Sequence, residues 1–301
     1  MGNKIVRRVG MLMNNPKGFM KRMMEITSSF FPDKLYLKWY FRLANGYKLN
    51  LKEPKTFNEK LNWLKLYNRN PLYTKLADKI EAKKIISGLI GEKYVVPLYG
   101  EYDRPNDIDF DVLPEQFVAK CNHCSGSMVI CKDKSILDRA NAIEVLKKGL
   151  QYDYYKICRE WPYKNIPHKI LVEKYMDDGT GNELRDYKFW CFNGDPKVMY
   201  CTIKGKDVYE NFYDMDFNIM DIDHGFPRHN PEFEKPENFE LMKELAKKIS
   251  KGIPFVRVDF FNVDGKVYFG ECTFFDWAGL YPFRNYEMDL KIGEWLKLPR
   301  E

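Results

Sequence analysis

The amino-acid sequence predicts an α+β architecture in which antiparallel sheets each carry helices on one side. Three observations predict it. The first 95 residues read as helical, strand pairs then alternate with single helices, and two turn dipeptides, Asn193-Gly194 and Asp264-Gly265, each join apolar runs of roughly period two. With 301 residues the chain is long enough for one large domain or two ordinary ones. A 45% hydrophobic content is globular, and no apolar run approaches the roughly 20 residues that span a bilayer. The N-terminus also lacks the apolar block of a secretory signal, so a cytoplasmic location is expected, with no transmembrane anchor. Seven cysteines, an odd number and mostly inside apolar strand-like runs, read as reduced core residues. The net charge of +6 favours anionic partners such as nucleotides, sugar acids or lipid headgroups, and is too weak to argue for nucleic acid.

Residues 1–54 form a basic arm. Lysines and arginines from Lys4 to Lys52 face only Glu25 and Asp33 there, interleaved with Met11, Leu12, Met13, Phe19, Met20, Met23 and Met24. Such a stretch suits either an amphipathic helix in peripheral contact with the inner face of an anionic membrane or a helical layer packed on the body with a solvated basic side. Pro16 and Gly18 interrupt the pattern and favour the packed layer. Thr56 with Glu59 is a capping-box signature opening a helix through Leu66, and a second helix runs from about Leu72 to Gly88.

Beyond residue 90 the pattern changes. Tyr94 to Tyr99 is strand-like, and Arg104 to Asp111 is an acidic loop. Phe117 to Lys120 and Met128 to Cys131 form short strands around Asn122 to Ser127. Ser135 caps a helix to about Leu150, and Lys169 to Tyr175 is a strand. Tyr187 to Phe192 and Val198 to Ile203 make a hairpin; Pro236 opens a helix that closes at Gly252.

The segment Phe255 to Thr273, FVRVDFFNVDGKVYFGECT, carries the most chemistry. It places Arg257, Asp259 and Glu271 on two strands joined by a tight turn. Strand parity puts the two acids on one face if residue 262 pairs with residue 266 and Val263-Asp264-Gly265 is a three-residue connection. Two carboxylates beside an arginine suit a divalent cation carrying phosphate oxygens. An Arg-Asp-Glu ladder across an exposed hairpin is the alternative.

Two upstream segments bear on that choice. In Phe117 to Lys132, FVAKCNHCSGSMVICK, Lys120 closes one strand and Ser125-Gly126-Ser127 precedes the next, so a small-residue turn offers backbone N–H groups to phosphate beside an ammonium. Cys121 and Cys124 form a C-x-x-C pair, but a structural zinc site wants four ligands and no second pair exists. In ILVEKYM, an apolar strand ends at Glu173, where an acid can bond the ribose or exocyclic amine of a nucleotide or simply face solvent.

The order of these elements resembles that of ATP-grasp enzymes. The markers are LADK, FVAKCNH-x-SGS, KDKS, DYKFWCFNG and RVDFFNVDGKVYFGE, with TFNEKLNWLK before them, over about residues 55 to 280. The resemblance is to the TupA-like branch associated with teichuronopeptide and other bacterial surface-polysaccharide synthesis. It implies an ATP-grasp fold, two α+β subdomains sandwiching ATP, with a mostly helical basic N-terminal region. The divisions expected are 1–54 for the arm, 55–116 for a helical connection, 117–176 for a lid with the phosphate loop and 177–301 for a subdomain with the metal site.

The resemblance further implies ATP and Mg2+ as cofactors and a carboxylate–amine ligase working through an acylphosphate. Lys79 and Lys120 would bind phosphates under the Ser125, Gly126 and Ser127 turn, and Glu173 would hold the adenine edge with Lys174, Tyr175 and Met176 as hinge. Asp186 and Lys188 would reach ribose and phosphate, with Lys204 or Lys206 nearer the γ-phosphate. Asp259 and Glu271 would hold Mg2+ with Thr273 auxiliary, and Arg257 would stabilise the acylphosphate and the tetrahedral intermediate. Partners would be a small-molecule or sugar-linked carboxylate, such as a uronic acid, and an amine or amino acid. Thr273 stands where the shared pattern has asparagine, and a hydroxyl is a poorer metal ligand than an amide oxygen. Cys124 stands where the branch has glycine, which implies a stiffer loop. Trp277, Tyr281 and Phe283 in FFDWAGLYPF form either a wall for a sugar or a hydrophobic cap. Asp214-Met215-Asp216 and Asp221-Ile222-Asp223 match the D-x-D string of glycosyltransferases, although they lie beside a turn.

Overall fold

A computed structural model describes residues 16–179, 184–204 and 208–299. The first fifteen residues of the basic arm and Lys206 lie outside the described residues, as does the side chain of Lys204. The helices are α1 (Pro16–Thr27), α2 (Asp33–Asn45), α3 (Phe57–Tyr67), α4 (Pro71–Ala77), α5 (Lys79–Ile90), α6 (Arg139–Leu150), α7 (Tyr154–Cys158), α8 (Phe239–Ser250) and α9 (Tyr286–Trp295). The strands are β1 (Leu98–Tyr102), β2 (Phe117–Cys121), β3 (Met128–Cys131), β4 (Ile170–Lys174), β5 (Asp186–Phe192), β6 (Asp195–Lys204), β7 (Val208–Tyr213), β8 (Phe255–Val263) and β9 (Lys266–Thr273). They form two antiparallel sheets, ordered β1-β4-β2-β3 and β7-β6-β5-β8-β9.

Each sheet is backed on one face by a helix. In the four-stranded sheet, Phe117, Ala119, Ile170 and Val172 pack with Ala142 and Leu146 of α6, which leaves Val118, Lys120, Leu171 and Glu173 for the other face. In the five-stranded sheet, Phe189, Cys191, Val256 and Val258 share a core with Phe239, Met242 and Ala246 of α8. The opposite face carries Lys188, Tyr200, Thr202, Glu210, Arg257, Asp259 and Glu271, by strand alternation and the observed pairing. A polar row on a sheet that is buried on both sides is the feature on which the site is built.

The α3 capping box forms as read: Glu59 N donates to Thr56 Oγ1 at 3.1 Å, and Glu59 Oε2 accepts from Thr56 N at 3.2 Å. The next helix is broken. Asp78 ends α4 and caps α5, accepting from Ile80 N at 2.9 Å, so Lys79 becomes the first residue of a new helix rather than one in the middle of a continuous one. Asp138, not Ser135, caps α6, because Ser135 is tied back to Asp133 through both its N and its Oγ. The Asn193-Gly194 turn is as expected, with φ of 52° and 86°.

The Phe255 to Thr273 hairpin corrects one expectation and meets another. Val263 pairs with Lys266, so the turn has two residues, Asp264 (φ 50°) and Gly265 (φ 68°), not three. That register alone would put the acids on opposite faces. The pairing shifts between Asp259 and Phe260, however, leaving Gly270 as an extra residue, a β-bulge, and Asp259 sits directly opposite Glu271. A Cβ on Gly270 would lie 3.2 Å from the Asp259 carbonyl oxygen, so the close approach at the bulge suits glycine.

Within the described part of the basic front end, one side of α2 is packed on the body. Tyr36, Leu37, Tyr40 and Phe41 of α2 are buried with Ala278 and Leu280 of the body.

Candidate active site

Arg257 is the hub. Its Nε and Nη2 donate to the two oxygens of Asp259, each at 2.7 Å, and Nη2 also donates to Glu271 Oε1 at 2.9 Å. Nη1 donates to Asp276 Oδ1 at 2.5 Å and to the Tyr200 hydroxyl at 3.3 Å. The ladder is therefore neither exposed nor isolated, since Asp259 is 4% exposed and Asp276 1%. Burial pushes the Asp259 carboxyl up, against the pull of Arg257. Burial acts the same way on Glu271, but Lys79 and Arg257 outweigh it and hold that carboxyl down at about 2. The Thr273 hydroxyl donates to Glu271 Oε1 at 3.1 Å.

Lys79 links the two sheets. Its ammonium lies 3.7 Å from Glu271 Oε2 and donates to the Cys124 carbonyl at 3.0 Å, in the turn that carries Ser125, Gly126 (φ 84°) and Ser127. The break at Asp78 makes this reach available, because Asn122 both donates to Asp78 Oδ1 and accepts from Lys79 N. Cys121 and Cys124 pack against the Leu146 and Gly149 carbonyls of α6, a structural use of both thiols.

Lys120 and Glu173 meet at 2.5 Å, and Lys83, which the sequence reading passed over, bonds the other Glu173 oxygen at 2.8 Å. Against the burial that raises it, the two lysines hold the Glu173 carboxyl below its ordinary value. Past Glu173, Lys174 is exposed, Tyr175 lies under the Lys132 ammonium, and Met176 packs with Val96 and Val263. A groove of about 610 Å3 lined by Tyr99, Glu115, Lys132, Lys174 and Tyr175 adjoins this segment and touches none of the hairpin residues.

Lys188 is the cross-strand neighbour of Asp259; it donates to Thr202 Oγ1 at 2.8 Å and lies 3.4 Å from Asp186 Oδ2. Thr202 in turn donates to Glu210 Oε1 at 3.0 Å. Glu210, Glu160 and Asp276 are buried acids that sequence reasoning missed, at 3%, 2% and 1% exposure. Asp276 accepts from Trp190 Nε1 at 3.0 Å and starts a run in which Trp277, Ala278 and Gly279 all have positive φ (45°, 56° and 54°). The buried Lys65 ammonium caps that run at the Ala278 carbonyl. Phe283 is core and stacks on His224 at 4.2 Å, whereas Trp277 and Tyr281 remain 37% and 38% exposed. The two D-x-D strings serve structure: Asp214 caps its own turn through Asp216 N and Asn218 N, and Asp221 pairs with Arg228 and Arg284.

Burial pushes Glu160 up to about 7 from an ordinary 4.5. A carboxyl raised on folding contributes stability below its unfolded value and loses it as pH rises through its folded value. Glu160→Gln is therefore expected to gain on the wild type between pH 5 and pH 8, by on the order of 1–3 kcal/mol. Thermal midpoints of both proteins across that range check it; a pH-independent difference would contradict it.

Two antiparallel sheets, a lysine-flanked small-residue turn and an Arg-Asp-Glu hairpin facing it define an ATP-grasp protein. The TupA-like ATPgrasp profile matches residues 59–297, and the chain belongs to that family, whose cofactors are ATP and Mg2+. No curated protein matches. Among solved structures, it is similar to D-alanine-D-alanine ligase from Helicobacter pylori (16% identity, 74% of this chain and 60% of that one, TM-score 0.42). It is also similar to the Bacillus anthracis D-alanine–D-alanine ligase complexed with ATP (18% identity, 73% and 67%, TM-score 0.41). A third is N5-carboxyaminoimidazole synthase from Aspergillus clavatus in complex with ADP and 5-aminoimidazole ribonucleotide (13% identity, 66% and 44%, TM-score 0.38). The alignment thus spans less than two thirds of the Helicobacter chain's length.

Proposed function

We propose that the protein is an ATP- and Mg2+-dependent carboxylate–amine ligase that attaches an amino acid or amine to a uronic acid of a bacterial capsule, O-antigen or teichuronic polysaccharide precursor. The observation that carries this reading is Arg257, bonded to both Asp259 and Glu271 on a buried sheet face, with Lys79 tying Glu271 to the small-residue turn. Two carboxylates in cross-strand register offer only oxygen donors, which fits a hard cation. Asp259 and Glu271, with Thr273 auxiliary, would hold Mg2+, which supplies charge neutralisation at the transferring phosphate.

This chain's own residues do the rest. Lys79, Lys120 and the N–H groups of Ser125 to Ser127 cradle the phosphates, and Asp186 and Lys188 reach ribose and phosphate. The adenine edge meets Glu173 and the backbone of Lys174 to Met176, a segment anchored by Met176, which packs with Val96 and Val263. A substrate carboxylate oxygen attacks the γ-phosphorus as the bond to ADP breaks; the amine then bonds the acyl carbon and gives up a proton to solvent as phosphate leaves with its electron pair. Arg257 stabilises the negative charge of both steps, and positioning with charge neutralisation is what phosphoryl transfer requires. The lid is taken as 117–176 and the metal-bearing subdomain as 177–301. An ADP-release screen over uronic acids, nucleotide-linked sugars and amino acids, with mass detection, tests the reading. ADP release that needs both a carboxylate and an amine is expected. A phosphorylated product without an amide, or no turnover anywhere on the panel, would contradict it.

The reading also places the enzyme at the inner face of the membrane. Met20, Met23, Ile26, Phe30, Leu35 and Trp39 of the first two helices and their link are exposed, Phe30 at 83%, beside Arg22, Lys34, Lys38 and Arg42. Asp33 is spent on Arg69 and Arg159, and Glu25 on Arg22. Such a basic, apolar-tipped surface suits anionic headgroups. Co-sedimentation with phosphatidylglycerol vesicles is expected, several-fold reduced in Phe30→Ser/Trp39→Ser; equal pelleting with neutral vesicles or no change in the variant would contradict it.

A further inference from the structure

Lys83 lies one helical turn beyond Lys79 on α5, so the helix presents two ammoniums in line. The first reaches the metal hairpin, and the second is buried, with 11% of its side chain exposed, between Glu173 Oε2 and the Val96 carbonyl, each at 2.8 Å. The other oxygen of Glu173 takes Lys120 at 2.5 Å, and the Glu173 side chain is 7% exposed. One buried carboxylate thus stands between two ammoniums, leaving the cluster with one net positive charge.

We propose that Lys83 is a positioning residue for nucleotide binding: by sharing the Glu173 carboxylate it keeps Lys120 from being neutralised, so that Lys120 remains available to the triphosphate. The inference rests on the reading of Lys120 as a phosphate lysine. Lys83 itself is tethered by the Val96 carbonyl at the entry to the four-stranded sheet and cannot follow the phosphates. Without it, Lys120 becomes the sole partner of a desolvated carboxylate, and a paired, neutral Lys–Glu couple attracts polyphosphate far less than a free ammonium. The effect is electrostatic and aimed at phosphate, so it separates from any general loss of packing at α5.

The experiment compares ATP with adenosine, each in the presence of Mg2+, by competition against a fluorescent nucleotide. The proteins are the wild type, Lys83→Met, Lys83→Arg, Glu173→Gln, Lys83→Met/Glu173→Gln and Lys120→Met. Lys83→Met is expected to lower the ratio of ATP to adenosine affinity about tenfold, with adenosine within about twofold of wild type, and Lys83→Arg is expected to restore the ratio. In Lys83→Met/Glu173→Gln the ratio is expected to recover, because no carboxylate remains to hold Lys120. Equal weakening of ATP and adenosine in Lys83→Met, or a double variant no better than Lys83→Met, would overturn the proposal and leave Lys83 a packing residue. Failure of the wider reading shows separately: if the wild type and Lys120→Met bind ATP equally, Lys120 is no phosphate ligand and the proposal falls with that assignment.

Discussion

Glu271→Gln and Asp259→Asn are each expected to lower substrate-dependent ADP formation by on the order of 10²–10³-fold while the protein stays folded. Either amide keeps the shape of the carboxylate and can still accept from Arg257, which retains Asp276 and the remaining acid as partners. What Glu271→Gln loses is a full negative charge at the place where a cation with phosphate oxygens is read to sit, and what Asp259→Asn loses is one of the carboxylate oxygens there. Lys79 and Arg257 hold Glu271 ionised, at about 2, so the glutamine removes charge at every working pH. Initial rates of ADP release, with thermal midpoints alongside, measure both sides. Activity within threefold of wild type in both variants would return the hairpin to an ion-pair ladder.

Asp276→Ala is expected to have the largest effect on stability, a loss of about 3–5 kcal/mol. Arg257, Trp190 Nε1 and the Tyr200 hydroxyl all donate to this one carboxylate. Alanine would leave a buried indole N–H without its acceptor and strip one counter-charge from a buried guanidinium. Asp276 also begins the left-handed run Trp277-Ala278-Gly279, whose backbone strain must be held by its surroundings. Asp276→Asn keeps an acceptor oxygen and is expected to lose less than half as much. Urea unfolding of the three proteins decides it, and a loss below about 1 kcal/mol for the alanine variant would contradict the network's role.

The local signals were legible where one residue type has one conformational use. The Thr56–Glu59 box and the Asn193-Gly194 turn formed as their chemistry demands. The Phe255 to Thr273 hairpin shows the limit of such reading. Strand parity required three turn residues to put Asp259 and Glu271 on one face, with Arg257 facing Glu271, whereas the chain uses two, inserts Gly270 on the return strand, and pairs Asp259 with Glu271 and Arg257 with Thr273. Period-two alternation cannot see a bulge, because one extra residue shifts the pattern just as a longer turn does. The helix break at Asp78 was hidden for a related reason: apolar periodicity continues across it, and the residue that stabilises it, Asn122, is 44 positions away. Lys83, Glu210 and Asp276 were illegible because their meaning lies in long-range pairing. Lys83 looks like a solvated helix lysine until β4 brings Glu173 to it, and Glu210 is buried only because β7, which the sequence did not announce, pairs with β6.

Asp259 and Glu271 are proposed to hold the Mg2+ that accompanies ATP. The most direct test is the calorimetric affinity for ATP with excess Mg2+ and with EDTA, in the wild type and in Glu271→Gln. The wild type is expected to bind ATP at least tenfold more tightly with Mg2+, and Glu271→Gln to lose most of that difference while keeping its metal-free affinity. An undiminished Mg2+ dependence in Glu271→Gln would contradict the account.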